Sequence, residues 1–398
     1  VEYPTLISQA NIGSYDSSRR YSGYFDPNKC YLYNYSDTET SRYFYPTGAA
    51  SSFNCPTDKQ WSGNYMNWAA TQTIDPFRSG LTGGYRVVDT PTTTILEKAR
   101  HHGSGLFPNR AISNATSVKN LTGATWNSLT VKIEGLGNRM RFTSSGDLNI
   151  TNAVAYDPSK HTLTPSGKNS DAGTVYEVSV RVKVCDASVG LETNCVRYGS
   201  NYKPEGLIQE YSKRITYSIF GFLNESGNQR NGGVLRARQK FVGPSTHYPE
   251  EGILDNARRE WDPATGVLVR NPNPADATAT AATGIADSGV INYLNKFGQM
   301  TSAAPKSNDP VSELYYAALR YFRNQGNLAE YTNNINYTFA DGFPVITDWD
   351  DPIRYSCQVN AALGIGDVNT HEDRNIPNTA PDKDLDLANK YTQKIFDL

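Results

Sequence analysis

The sequence predicts a mixed α/β chain, a sheet-and-helix core interrupted by large loop-rich and β insertions. Three patterns carry this. Apolar residues return at spacings of three and four through Met66, Ala70, Ile74, Phe77 and Leu81, and again through Val311, Leu314, Tyr315, Ala318, Leu319 and Phe322. That is the period of a helix with one buried face. Val178, Val180, Val182 and Val184 alternate with Ser179, Arg181 and Lys183, the period of a strand with one face buried and one wet. Finally, Val359, Ala361, Ala362, Leu363 and Ile365 form an apolar run that ends in Gly366-Asp367, as a strand buried on both faces would.

Taken in order, residues 1–60 mix turn formers with aromatics such as Tyr21, Tyr24, Phe25, Tyr31 and Tyr33, and predict short strands in long loops. The helix over Trp61–Leu81 should bend or break near Pro76 and end at Gly83-Gly84. Tyr85–Val88 reads as a strand, and the hydroxyls Thr92-Thr93-Thr94 read as the cap of a short helix through Ile95–Arg100. From 104 to 200 the pattern is β, with Val131–Ile133, Arg139–Phe142, Leu148–Ile150 and above all Val175–Val184 as strands. Leu207–Leu223 turns from polar to apolar, a short helix or loop leading into a strand, and Val234 begins another element after Gly232-Gly233. Residues 262–286, rich in Pro, Asn, Ala and Thr, read as a linker with little to pack. Gly289–Phe297 and Asp309–Asn324 read as helices, the second with Asp309 as N-cap and Pro310 at its first position.

Composition narrows the function classes. The 398 residues carry 38 basic and 40 acidic side chains, a formal charge of -2, with no basic stripe to grip nucleic acid. No apolar run reaches the ~18 residues of a membrane-spanning helix. No secretory leader opens the sequence, so export implies a leader removed or lying upstream. Tyrosine stands out, 26 against 14 Phe. Its ring buries apolar area while its hydroxyl reaches water or a partner, which suits adhesive surfaces and equally suits a large sheet protein with ordered loops.

The five cysteines form no CxxC pair, and histidine is scarce, which argues against zinc. Their spacing suggests two local disulfides, Cys30–Cys55 and Cys185–Cys195, with Cys357 left over. The alternative is five reduced cysteines in a cytosolic chain. Asp367, just past the expected strand, with Asn369, His371 and Asp373 in the following loop, offers oxygen ligands for a hard cation, Ca²⁺ or Mg²⁺; a solvated loop is the competing reading. Asp348, Asp350 and Asp351 make a second acidic cluster. His101-His102 lie where the short helix would end, without the carboxylate or cysteine companions of a metal site. Nothing matches a G-x-S-x-G elbow, HExxH or a Walker lysine, so no catalytic residue is assigned and a metal-dependent hydrolase ranks last.

Several segments, in order, carry a family resemblance. Tyr24-Phe25-Asp26-Pro27-Asn28-Lys29-Cys30-Tyr31 and Trp61-Ser62-Gly63-Asn64-Tyr65-Met66-Asn67-Trp68 resemble segments of the PilY1/PilC family of type IV pilus tip and biogenesis proteins. So do Ile74-Asp75 through Gly83-Gly84-Tyr85-Arg86, Asn201–Gln209, Gly232–Arg236, Asp309–Tyr316 and Gly364–Thr370.

The resemblance implies a von Willebrand A-like, Rossmann-like core broken by insertions. Residues 1–103 would be its first part with a tyrosine-rich insertion, 104–200 an inserted β module, 201–375 the remainder, and 376–398 a linker towards a C-terminal domain, in the family a β-propeller. The metal motif is incomplete: no D-x-S-x-S occurs in Val1–Arg20, and Asp309-Pro310-Val311-Ser312 stands where the family has Gly-Thr-Pro. Only Asp367 matches the third element, so either the strand that carries the first lies upstream of Val1 or the metal site is lost; loss is the favoured implication, with adhesion then through loops and tyrosines. The implied role is non-enzymatic: support of pilus assembly and adhesion at the pilus tip or outer membrane surface, with pilus minor subunits and a host or surface receptor as partners. The competing expectation is a secreted carbohydrate- or protein-binding surface module unrelated to pili.

Overall fold

A computed structural model describes residues 14–103, 107–165, 171–224, 232–278, 284–300 and 308–366, with Ala282, Lys306, Ile376 and Pro377 besides. They gather into two compact units. The chain to Glu210, joined by Pro263–Val267, forms one; Tyr211–Asp262 and the chain from Leu268 form the other. The architecture is mixed α/β with several sheets.

Among the described residues the first unit holds two large sheets and a two-stranded hairpin. β1 (Lys29–Asn34), β2 (Tyr43–Ala49), β3 (Trp61–Ser62), β4 (Arg86–Asp89), β5 (Thr94–Glu97) and β11 (Arg181–Val184) make one, in the order β3-β1-β2-β11-β5-β4. β6 (Arg110–Ile112), β7 (Leu129–Lys132), β8 (Arg139–Thr143), β9 (Val154–Ala155) and β10 (Tyr176–Ser179) make the other, in the order β6-β7-β8-β10-β9. Neighbours pair antiparallel except β2 with β11 and β9 with β10.

Aromatic rings fill the space between the sheets. Phe44 of β2 meets Trp61 at 6.0 Å, Trp61 meets Phe142 of β8 at 5.1 Å, and Phe142 meets Tyr176 of β10 at 5.5 Å, all four buried. Fully burying such a side chain contributes about 1.5–3 kcal/mol. Much of the tyrosine excess goes here: Tyr31, Tyr33, Tyr65, Tyr156 and Tyr176 are core residues rather than surface ones.

The expected first helix is two. α1 (Gly63–Ala70) starts at Ser62, whose hydroxyl accepts from Tyr65 N at 3.3 Å, and every one of its residues is buried. The break falls at 71–73, so Pro76 sits in the first turn of α2 (Ile74–Thr82), where its missing N–H costs no hydrogen bond. α2 ends on Gly83 at φ +81°, and a Cβ there would lie 2.1 Å from Pro204 O. α3 (Ala115–Thr122) lies in the stretch read as all β, begun by Asn114, whose side chain accepts from Ser117 N at 3.0 Å. β12 (Cys195–Tyr198) and β13 (Asn201–Pro204) form a hairpin, and α4 (Leu207–Glu210) packs on α2.

Several expectations fail for physical reasons. Thr92–Arg100 is no helix: Thr90 and Thr93 close a turn and β5 follows, because Ile95 and Leu96 pair with β4 on one side and β11 on the other. Val175–Val184 is not one strand with a wet face. It changes sheets at Val180, and Ser179 and Arg181 are buried with the valines because both their faces are covered. Leu148–Ile150 is a turn. Residues 104–200 share their core cluster with the first hundred residues.

In the second unit β14 (Tyr217–Gly221) pairs with β15 (Val234–Lys240), and β16 (Ser245–Tyr248) with β17 (Gly252–Asp255). The expected linker at 262–286 is packed in part: Asn273, Asp276 and Ala277 are buried, as are Asp287 and Ser288 just after it. Asp276, on α5 (Pro274–Thr278), accepts from Arg238 Nε at 2.9 Å, and Ser288 Oγ accepts from Asn273 N at 2.9 Å. α6 (Val290–Lys296) starts on the Glu260 carboxylate, which accepts from Val290 N at 2.9 Å and Ile291 N at 2.7 Å. α7 (Val311–Phe322) takes Pro310, not Asp309, as its N-cap, and lies against β14 and β15; α8 (Ala329–Thr332) follows. The apolar run Cys357–Gly366 forms no strand. Val359 is 94% exposed and Leu363 79%, since no element among the described residues covers them.

Two outcomes test this packing. Gly83→Ala should destabilise the chain by roughly 2 kcal/mol or more through the left-handed backbone and the Pro204 clash, whereas Gly80→Ala, with open space around its Cβ inside α2, should stabilise it by up to about 1 kcal/mol. Denaturant titration of both variants reads the contrast. Replacing Cys185 and Cys195 together by Ser should cost roughly 2–4 kcal/mol in the same titration.

Candidate functional site

The chain leaving β5 builds the most elaborate polar site among the described residues. Lys98 and Ala99 continue the strand inward, both buried. Asp75, in the first turn of α2, accepts from Ala99 N through Oδ1 at 2.7 Å and from Gln72 N through Oδ2 at 3.0 Å. Burial pushes the Asp75 carboxyl up, against the pull of the Lys98 charge. Lys98 Nζ donates to Ala99 O at 2.7 Å and Gly137 O at 2.9 Å, and burial lowers the ammonium to about 8 despite Asp75.

His101 comes next. Its backbone exchanges two hydrogen bonds with Gly137, both 3.1 Å, which ties the strand's end to the turn 135–139. Its Nδ1 accepts from Gly103 N at 3.1 Å and Gly135 N at 3.2 Å. Two donors on Nδ1 leave the ring proton to Nε2. Burial, with the Lys98 and His102 charges, lowers the imidazole to about 4, so it stays neutral at pH 7. Arg100, His101 and His102 on one wall and residues 135–139 on the other enclose a hollow of about 260 Å³.

The two cysteine pairs bond as disulfides, with Cα–Cα separations of 5.6 Å for Cys30–Cys55 and 5.7 Å for Cys185–Cys195. Glu192 braces the second: Oε2 accepts from Cys185 N at 2.8 Å and lies 3.2 Å from Cys195 Sγ, while Oε1 pairs with Lys29 Nζ at 2.7 Å. The sulfurs here are spent on each other, so this Cys-Glu-Cys cluster offers no thiolate to a metal. Cys357 is exposed and unbridged.

Asp367, Asn369 and Asp373, the residues read as cation ligands, lie outside the described residues, as does His371. Asp350 and Asp351 are engaged otherwise: Asp350 Oδ1 accepts from Arg238 Nη1 and Tyr321 OH, both at 3.1 Å, and Asp351 Oδ1 accepts from Ile353 N at 2.9 Å. Thr94 accepts from the buried Lys203 ammonium at 3.0 Å, the work of a strand hydroxyl rather than a helix cap. His101 and His102 sit on an extended segment that lines the hollow, not at a helix end.

The comparisons with known proteins now have a structure to attach to. Residues 12–162 match the family described as PilY1 homolog, small alpha/beta domain, a span that holds β1 to β9 and both walls of the hollow. A type IV pilus biogenesis factor PilY1 homolog of Xylella fastidiosa strain Temecula1 is 56% identical over 95% of this chain and 32% of its own length. The chain belongs to the PilY1 family. A second PilY1 homolog of the same strain is 25% identical over 78% of this chain and 22% of its own length. This PilY1-family chain thus spans a third or less of the curated relatives it matches. No solved structure matches it.

Sequence reasoning missed the site around Lys98 and His101. Asp75 and Lys98 lie far apart in sequence, and the segment that carries Lys98 had been read as a helix. One signal was present: Gly135 and Gly137 in close succession mark a turn, and the structure places both at positive φ there.

The His101 imidazole sets a pH dependence. Its folded pKa of about 4 lies below the unfolded value near 6.5, so its stabilising effect is complete above pH 6.5 and is lost as pH falls towards 4. The expected loss over that interval is up to about 3 kcal/mol. Thermal midpoints from pH 7 to pH 4 should fall less steeply in His101→Gln than in the parent.

Proposed function

We propose that this chain belongs to a non-enzymatic protein at the type IV pilus tip, supporting pilus assembly and adhesion to a host or other surface. The observation that carries the reading is the 56% identity to a type IV pilus biogenesis factor over nearly the whole chain. Two disulfides support it, because such bonds persist in oxidising, extracellular settings. The chemistry of the site agrees. His101 Nδ1 accepts from two backbone donors, and the Lys98 ammonium donates to two backbone carbonyls beside the buried Asp75. These are the bonds of a framework and of a binding surface.

Within such a protein the partners are the pilus minor subunits and a surface receptor, with a C-terminal β-propeller as a neighbouring domain. The apolar segment Cys357–Gly366, exposed and without strand structure here, stands where a von Willebrand A-like core would bury a strand.

The test is retention on pili. Produced with its disulfides closed, the chain should be captured by purified type IV pilus minor subunits and released when the disulfides are reduced. No capture by any minor subunit, together with a chain isolated fully reduced from its own cells, would remove the reading. Capture of a glycan or an unrelated surface protein instead would favour a surface-binding module without pili.

A further inference from the structure

We propose that Cys185–Cys195 is the bond of this chain that exchanges with external thiols, that Cys195 Sγ is the sulfur attacked, and that the Glu192 carboxylate selects cationic or neutral thiols over anionic ones. This stands on the geometry of the first unit alone and does not depend on the pilus reading.

Three observations converge on it. First, the two disulfides differ in access. Cys30 is 5% exposed and Cys55 0%, so both halves of that pair are buried. Cys185 is 9% exposed, whereas Cys195 is half-buried and opens β12, where the next residue, Val196, is 43% exposed. Exchange proceeds by attack of a thiolate on one sulfur while the other leaves as a thiolate. Of the four bridged cysteines Cys195 is therefore the one an outside thiol reaches, and Cys185 is the leaving group.

Second, a carboxylate stands at the bond. Glu192 Oε2 lies 3.2 Å from Cys195 Sγ, and the carboxylate and both sulfurs fall within 4.8 Å of one another. A bridged sulfur has no proton to give, so this contact sets a negative charge against the disulfide. The carboxylate is held in place: Oε2 accepts from Cys185 N at 2.8 Å and Oε1 from Lys29 Nζ at 2.7 Å.

Third, that charge is not cancelled. Lys29 meets Oε1, not the oxygen beside the sulfurs, and also lies 3.8 Å from Asp26. Two carboxylates against one ammonium leave a net negative charge at this corner. Lys183, near the other end of the bond, is taken by Asp186 at 2.7 Å.

The step balances as follows. A thiolate RS⁻ bonds to Cys195 Sγ, the bond between the cysteines breaks, and its electron pair leaves on Cys185. A second thiolate then releases RS–SR, so two thiols are oxidised as one disulfide is reduced. Incoming and departing sulfurs share a negative charge beside Glu192. A cationic tail on the thiol offsets the repulsion, and an anionic tail adds to it.

The experiment first blocks the exposed Cys357 by alkylation. The oxidised chain then meets cysteamine, 2-mercaptoethanol or thioglycolate, with quenching and peptide mapping by mass spectrometry. Each rate is divided by that of the same thiol on hydroxyethyl disulfide, which removes differences in reactivity between the reagents. Cys185–Cys195 should open before Cys30–Cys55, with the first adduct on Cys195. The corrected rates should fall from cysteamine through mercaptoethanol to thioglycolate, by roughly fivefold or more at low salt. Glu192→Gln keeps an oxygen for Cys185 N and should flatten that order without changing the rate at Cys30–Cys55. The reagent series on the parent chain decides the matter even should this variant fail to fold. The proposal falls if Cys30–Cys55 opens first, if the first adduct is on Cys185, if thiol charge makes no difference in the parent, or if the order survives in a folded Glu192→Gln.

Discussion

The first unit depends on a single peptide, that of Val180. Upstream of it Tyr176–Ser179 pairs with β8 and β9; downstream Arg181–Val184 pairs with β5 and β2. One continuous run of chain therefore serves as an inner strand in two sheets, and the residue between them bends from one to the other. The side chains flanking the bend are locked. Ser179 N donates to Tyr33 OH at 2.9 Å, and Arg181 reaches Glu97 at 2.6 Å and the Glu39 carbonyl at 2.7 Å. A buried guanidinium with two carboxylates and a carbonyl is costly to strand if one partner is removed, which makes the register at this bend hard to slip.

That bend explains which parts of the fold could be read from sequence. Val178, Val180, Val182 and Val184 gave the strand period correctly, because every valine is buried. The pattern could not reveal that Ser179 and Arg181 are buried too, since polar residues in a covered sheet are satisfied by partners distant in sequence, here Tyr33, Glu39 and Glu97. The helix at 311–322 was legible because its apolar stripe and its proline start are local signals. Ile95–Arg100 misled for the converse reason: a hydroxyl run before Glu, Lys and Arg looks like a capped helix, yet two neighbouring strands override so short a propensity. Residues 262–286 look featureless because their burial rests on hydrogen bonds of Asn273 and Asp276 to partners outside the segment or to each other, not on apolar period. The cysteine spacing predicted the pairs that the structure joins, since both bridges are local.

The two disulfides act on one corner. Lys29 precedes Cys30 and pairs with Glu192, the residue that braces Cys185 and Cys195. The start of β1 and the loop after β11 are thus fastened by two covalent bonds and one nearly buried ion pair. An aromatic core of this density, with phenols such as Tyr33 raised to about 12 by burial, remains neutral and well packed across any ordinary pH. What varies with conditions is the charged layer around it.

The hollow belongs to that layer and yet is positioned by the core. Val180 O accepts from Lys98 N at 3.1 Å, and Val180 N donates to Asn138 O at 3.0 Å. The residue that switches sheets therefore holds, on its carbonyl, the strand that leads into one wall of the hollow and, on its amide, Asn138 of the other. Lys98 then returns to Gly137 O, and His101 closes the ring by pairing its backbone with Gly137. Each wall is fixed relative to the other by hydrogen bonds that converge on a buried bend, not by loop packing at the surface. A hollow built in this way has both its backbone walls fixed by folding itself, and Arg139 on one of them is further held by Glu177 at 2.7 Å. The side chains along the hollow are thus presented by a framework whose geometry is set by Val180 and its neighbours.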